Sequence, residues 1–154
     1  MQRRTLLIAG AATPALALAH HGWSSFDQER PIYIEGKATT VRWQNPHAEL
    51  DLEVLPGLKL PADLASRQLP AQSSPVDGKA LLAKAQVPRR QDKVWEIELA
   101  PLTRMEAWKV EPIKPGTTVG ILGFTTPKEE GEAVVRAEYL WVGGRVYGLR
   151  SSPA

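Results

Sequence analysis

The sequence predicts an all-β fold: a small OB-like barrel of five or six strands, with one short helix and one long inserted loop. Three observations carry this. Apolar and polar residues alternate with period two in several separate segments, the signature of half-buried strands. Proline and glycine recur between those segments and break them. A chain of 154 residues holds one domain with a modest core, and so few strands hide their edges most economically by closing on themselves. A small β-sandwich is the alternative.

Before the first strand lies a segment of a different kind. Met1-Gln2-Arg3-Arg4 is short and positive, Leu6 to Ala19 is an Ala-rich apolar run interrupted by Thr13 and Pro14, and small residues close it. The run is shorter than the ~20 residues a membrane span needs, and it ends in the A-x-A form that signal peptidase reads. Residues 1–19 are therefore expected to be an export signal, and Arg3-Arg4 also suits the twin-arginine route. The expected compartment is periplasmic or secreted, with no stable membrane span after processing. Cleavage after Ala19 leaves His20 first; cleavage after Ala17 leaves Leu18-Ala19-His20.

From residue 20 to 150 the chain reads as one domain. Ile32 and Ile34 alternate with Tyr33 and Glu35; beyond Gly36, Thr39, Val41 and Trp43 alternate with Thr40, Arg42 and Gln44. Asn45-Pro46 breaks this strand, because proline lacks an N–H and restricts the residue before it. Ala48, Leu50, Leu52 and Val54 then form the apolar face of a second strand, with His47 at its start on the polar side. Residues 55–92 are rich in proline and hold no lasting alternation, so they read as a flexible insertion, mobile or draped over the barrel, with one or two helical turns between Gly78 and Gln86. Strands resume at Val94–Leu99, Thr118–Phe124 and Ala133–Val142. A short helix is expected over Leu102–Trp108, and Gly143-Gly144 marks a two-residue hairpin into a last strand ending at Tyr147 and Leu149. A helix after the third strand matches the oligonucleotide/oligosaccharide-binding (OB) type of barrel. Ser151–Ala154 is expected to be a frayed tail, and Glu129, Glu130 and Glu132 a solvated turn.

Charge and composition exclude several functions. The net charge of +2 owes its sign to Arg3 and Arg4; without residues 1–19 the 19 basic side chains fall to 17, equal to the 17 acids. A neutral domain lacks the field that nucleic-acid binding needs, so no nucleic-acid partner is expected. With no cysteine, disulfides, thiolate metal sites and cysteine nucleophiles are absent. No G-x-S-x-G, H-E-x-x-H, P-loop or dinucleotide-binding glycine motif occurs, so nothing assigns an enzyme activity or a catalytic residue.

What remains is a histidine set. The chain has three histidines, His20, His21 and His47. If processing exposes His20, its α-amine and ring nitrogen can chelate one metal ion, and His47 can complete a planar three-nitrogen set, a histidine brace. Such a set favours copper(II). Binding would strengthen as pH rises, since the amine must lose its proton. His20 and His21 point to opposite sides of an extended chain, so one of them joins His47 more readily. Asp27 and Glu49 are candidates to orient an imidazole, and Trp43 to shield the site. The plainer alternative is a polar histidine tail and a His47 that only bonds a carbonyl. The protein would then be an interaction module for a periplasmic protein or small ligand, with Trp23, Trp95 and Trp141 as anchors. A copper-dependent oxidase would further need an open coordination position.

The strings His20-His21-Gly22-Trp23-Ser24-Ser25-Phe26-Asp27, Gly36-Lys37-Ala38-Thr39-Thr40-Val41-Arg42-Trp43-Gln44-Asn45-Pro46-His47 and Lys114-Pro115-Gly116-Thr117-Thr118-Val119-Gly120-Ile121-Leu122-Gly123 resemble a family of small exported bacterial proteins of unknown function. Its pattern is HH-x-x-x-x-FD after the signal, then W-x-NPH, then K-P-G-x-x-V-x-x-x-G. This chain departs from it at Ala38, where valine is usual, and in the length of the proline-rich insertion. The resemblance implies compartment and fold, and no activity.

Overall fold

A computed structural model describes residues 22–154. Six strands form the framework: β1 (Ile32–Arg42), β2 (Glu49–Val54), β3 (Val94–Glu98), β4 (Thr118–Phe124), β5 (Val134–Val142) and β6 (Arg145–Gly148). Helix α1 (Gly78–Lys84) lies in the insertion and α2 (Leu102–Ala107) between β3 and β4. Antiparallel pairing runs β3-β2-β1-β4-β5-β6, and β3 also pairs with β5 in parallel. That pairing closes β1-β2-β3-β5-β4 into a five-stranded barrel, with β6 as an extra strand on β5. The order and the helix after β3 are those of an OB-type barrel.

The barrel interior is filled by the expected alternation: Ile32, Ile34, Leu50, Leu52, Trp95, Ile97, Leu99, Ile121, Val135 and Leu140 are buried. Met105 of α2, with Val110 and Ile113 after it, packs on the same core. Gly36 permits the close approach of β1 and β2, since a Cβ there would stand 2.1 Å from the Glu53 carbonyl oxygen. The Gly143-Gly144 turn has φ of 59° and 75°, the left-handed pair that a tight hairpin requires.

Two details of β1 differ from simple alternation. Its register against β2 shifts between Ala38 and Thr40, so Ala38 is buried, Thr39 is exposed, and Val41 and Trp43 return to the core side. Thr39 therefore does not share a face with Val41, because the bulge adds a residue to one strand. Second, Tyr33 is as buried as its neighbours Ile32 and Ile34, because β1 is covered on both faces.

The cover is the insertion. Tyr33, Leu122 and Tyr139 are successive cross-strand partners on the outer face of β1, β4 and β5, and Leu64, Leu82 and Ala85 pack on them as a second apolar cluster. Tyr33 N–H donates to the Gln86 carbonyl at 2.7 Å and Gln86 N–H to the Pro31 carbonyl at 3.1 Å. Of the two expectations for residues 55–92, draping describes their position.

The tail also differs from expectation. Gln72 and Pro153 form a β-bridge, Ser73 N–H donates to the Ser152 carbonyl, and Ala154 N–H to that of Ala71. Trp108 Nε1–H reaches the Ser151 carbonyl at 2.8 Å. These partners, backbone groups of the insertion and the Trp108 side chain after α2, hold residues that the sequence alone marks as frayed.

Candidate metal-binding face

His47 follows the Asn45-Pro46 turn and lies two residues before the start of β2. Ala48 N–H donates to the Ala100 carbonyl and Leu99 N–H to that of Ala48, each at 2.9 Å. This clamp ties the start of β2 to the end of β3 and fixes the backbone that carries the imidazole. Two residues on, Glu49 projects from the same polar face. Its Oε1 lies 3.5 Å from His47 Nδ1, with the two side chains 10% and 16% exposed. At that distance the carboxylate stands beside the ring without a hydrogen bond to Nδ1.

Glu49 belongs to a belt of cross-strand partners around the barrel: Arg42, Glu49, Glu98, Arg136 and Phe124, one from each barrel strand. Arg42 Nε donates to Glu49 at 3.0 Å, and its guanidinium also meets Asp51 at 3.3 Å and Glu96 at 3.6 Å. Burial acts to lower the Arg42 pKa, but Glu49 and Asp51 outweigh it and the net shift is upward. Glu96 is raised, first by burial and then by the negative charge of Glu49. Farther along the belt, Arg136 donates to the buried Glu98 at 3.2 Å.

Beyond Arg136 lies the beginning of the described chain. Trp23, in a 3-10 turn over Trp23–Ser25, lies against two guanidinium groups, its ring centre 5.0 Å from that of Arg136 and 3.8 Å from that of Arg150, and makes a T-shaped contact with Phe124. Arg150 is held in turn by Glu138, whose side chain is fully buried.

Residues 7–57 match DUF6152, a family of unknown function. The matched segment contains His20, His21, the Phe26-Asp27 pair, all of β1 and β2, and the Asn45-Pro46-His47 turn; the rest of the insertion and β3 to β6 lie outside it. No curated protein and no solved structure matches the chain.

Of the residues singled out from sequence, His47 and Glu49 stand together. Trp43 packs against the main core. Asp27 caps a local turn, its Oδ1 accepting from Glu29 N–H at 3.1 Å. His20 and His21 lie outside the described residues. Among the described residues no group of three or more His, Asp or Glu side chains is arranged to hold a metal ion. Trp95 is 1% exposed in the core, which removes it as an anchor for a partner, while Trp141 is partly exposed with the Arg67 guanidinium 5.4 Å from its ring centre. Arg42, Glu98, Arg136 and Arg150 were not recognisable beforehand, because only the strand register makes them neighbours of His47 and Trp23.

Proposed function

We propose that this protein is an exported, copper-binding barrel protein, in which the α-amine and imidazole of a processed His20 and the imidazole of His47 bind copper(II), and His21 joins where the chain turns it inward. The observation that supports this most is the largely buried His47 imidazole 3.5 Å from Glu49, on the belt that ends where the described chain begins. Imidazole nitrogen is a good ligand for copper(II), and two nitrogens from His20 would supply the chelate. Handling or buffering of the metal is the role, with residues 1–19 as the export signal. Such a site involves no transmembrane segment, and among the described residues no helix is long and apolar enough to cross a membrane.

The test is copper(II) affinity, measured by competition against a chromophoric chelator on chain recovered after export, with its N-terminus verified by mass. His47→Ala is expected to weaken binding at least about tenfold, the loss of one ligand from a chelate (~1.4 kcal/mol or more). Unchanged affinity in His47→Ala and in a chain with a blocked N-terminus would remove the reading.

A second reading is favoured by one feature. A groove of about 620 Å³ separates residues 53–58 from 87–93 and is lined by Leu55, Pro56, Leu58, Val87, Arg89 and Lys93. Its charged lining is mixed, Arg89 and Lys93 with Glu53 and Asp92, so it suits a small polar ligand or a protein segment, and binding there would be indifferent to chelators. Nucleic acid is disfavoured on the usual OB surface, because the outer face of β2 and β3 carries Glu49, Asp51, Glu53 and Glu96, which repel phosphate.

A further inference from the structure

Glu35, Gly120 and Trp141 are successive cross-strand partners on β1, β4 and β5. Each lies two residues from Tyr33, Leu122 or Tyr139, so the two rows share the outer face of the sheet. The middle position carries no side chain: a Cβ at Gly120 would stand 2.9 Å from the Tyr33 hydroxyl and 3.6 Å from the Trp141 Cβ. Glycine there lets Tyr33 lean into the row, where its ring centre is 6.0 Å from that of Trp141, with the planes at 63°. Its hydroxyl donates to Glu35 Oε2 at 2.5 Å. Burial, and then this bond, push the Tyr33 pKa up to about 12, so the phenol keeps its proton. Two ring faces and a carboxylate thus converge on one spot.

A cation already lies on these rings. The Arg67 guanidinium, from the insertion, stands 5.4 Å from the Trp141 ring centre and 5.9 Å from that of Tyr33, an arrangement in which the ring quadrupole attracts positive charge. Arg67 gives its hydrogen bonds to Asp63, at 3.0 and 3.2 Å. The Asp63 side chain is 66% exposed, and ion pairs so open to water contribute little. Among the described residues no cation pairs with Glu35. Beside Arg67 lies a cavity of about 460 Å³, lined in part by Leu69, Val76, Lys79 and Tyr139. The arginine side chain therefore has room to turn away, while Leu64 and Leu82 keep the insertion on the sheet.

We propose that Tyr33, Trp141 and Glu35 form a binding site for a guanidinium cation, free or as an arginine side chain, and that Arg67 is its resident competitor. An incoming guanidinium takes the ring faces that Arg67 covers and gains Glu35 as a further partner, in the forked geometry that a guanidinium offers a carboxylate. The displaced Arg67 turns out toward Asp63 and solvent. The site does not depend on the copper reading.

The test is an NMR titration of the whole chain with N-acetyl-argininamide, read at the Gly120 backbone amide, with the neutral citrulline analogue as control. Arg67→Ala is expected to bind the probe at least about tenfold more tightly than wild type, because the competitor no longer occupies the site. Arg67→Gln keeps the stem without the charge and should behave alike, which covers a failure of Arg67→Ala to fold. Arg67→Lys, a cation still, should return binding toward the wild-type level. Glu35→Gln added to Arg67→Gln is expected to lose at least about tenfold, through loss of the charged partner.

Folded Arg67→Gln protein that binds no more tightly than wild type overturns the proposal. So does equal binding of the citrulline analogue, or indifference to Glu35→Gln. Free arginine, titrated alongside, separates the two sources of the cation. Binding as tight as that of the blocked form supports a small molecule, and weaker binding supports a side chain within a polypeptide, since the free carboxylate then faces Glu35.

Discussion

Glu129 stands among three acids in a turn, where solvation is the ordinary outcome, yet its side chain is 3% exposed. Its carboxylate accepts the backbone N–H groups of Arg89 and Arg90 at 2.9–3.0 Å and the guanidinium of Arg30. Lys128 and Glu129 both hold φ of 58°, the left-handed pair that turns the carboxylate inward. Burial acts to raise its pKa, but the two N–H donors and Arg30 outweigh it and hold the group below the usual carboxylate range. A depressed folded-state pKa contributes stability that is complete above the unfolded value of about 4.3 and is lost as pH falls through the folded value. Glu129→Gln is therefore expected to lower unfolding free energy by about 1.5–3 kcal/mol at pH 7, the range for a charged hydrogen bond. The gap should shrink below about pH 4 as wild-type Glu129 protonates. Urea midpoints of both proteins at pH 7 and pH 3 measure it, and a gap constant across that range would mean that the charge does not matter. Arg90 is similarly engaged: it bonds Asp92 and the Gly131 carbonyl and lies over Trp95.

At the scale of the element, strands were legible and their covering was not. Alternation locates β2 and β3 because each has one face in the barrel core, and the Gly143-Gly144 turn locates the last hairpin. The insertion is opaque for a physical reason. Its apolar residues, Leu64, Leu82 and Ala85, face a sheet surface formed by distant residues, so no local period records them. The signal was in the strands: Ile32-Tyr33-Ile34 and Val119-Gly120-Ile121-Leu122 are apolar without interruption, as strands buried on both faces are. The site was legible in the same partial way. Asn45-Pro46-His47 announces a fixed histidine and Glu49 shares its face, but the partnership of Glu49 with Glu98 and Arg136 is a matter of register. Helix α1 gives the element its test. Asp77 caps it by accepting Ala80 N–H at 3.0 Å, and Leu82 is 3% exposed against the second cluster. Leu82→Ala is expected to cost about 2–5 kcal/mol, the range for truncating a buried leucine. Lys79→Ala, exposed on the same helix, should stay within about 0.5 kcal/mol of wild type. Chemical denaturation of the two variants separates a structural cover from a loose loop, since equal small effects would show that the insertion carries no packing energy.

The whole molecule joins two cores through shared strands. Tyr33, Leu122 and Tyr139 face the insertion, while their neighbours Ile34, Ile121 and Leu140 face the barrel. Neither cluster can be exposed without disturbing a strand that the other needs. The tail adds a second tie, since Ser151 N–H donates to Gln72 of the insertion at 3.0 Å and the residues around it bond Trp108 and Arg104, beside α2 and within it. A barrel whose cover is fastened at Gln86, at Glu129 and at the tail has no boundary along which to open. Unfolding is therefore expected to be two-state, with a slope in urea of about 1–3 kcal/mol/M. Far-UV circular dichroism follows the strands, and tryptophan fluorescence follows Trp95 inside the barrel together with Trp141 under the insertion. The two transitions should coincide, and in Leu82→Ala they should shift to lower urea together. An early fluorescence change that leaves the circular dichroism untouched would instead mean that the insertion lifts off a barrel that stays folded. Residues 55–92 would then be a separable lid, free to uncover the outer face of β1, β4 and β5.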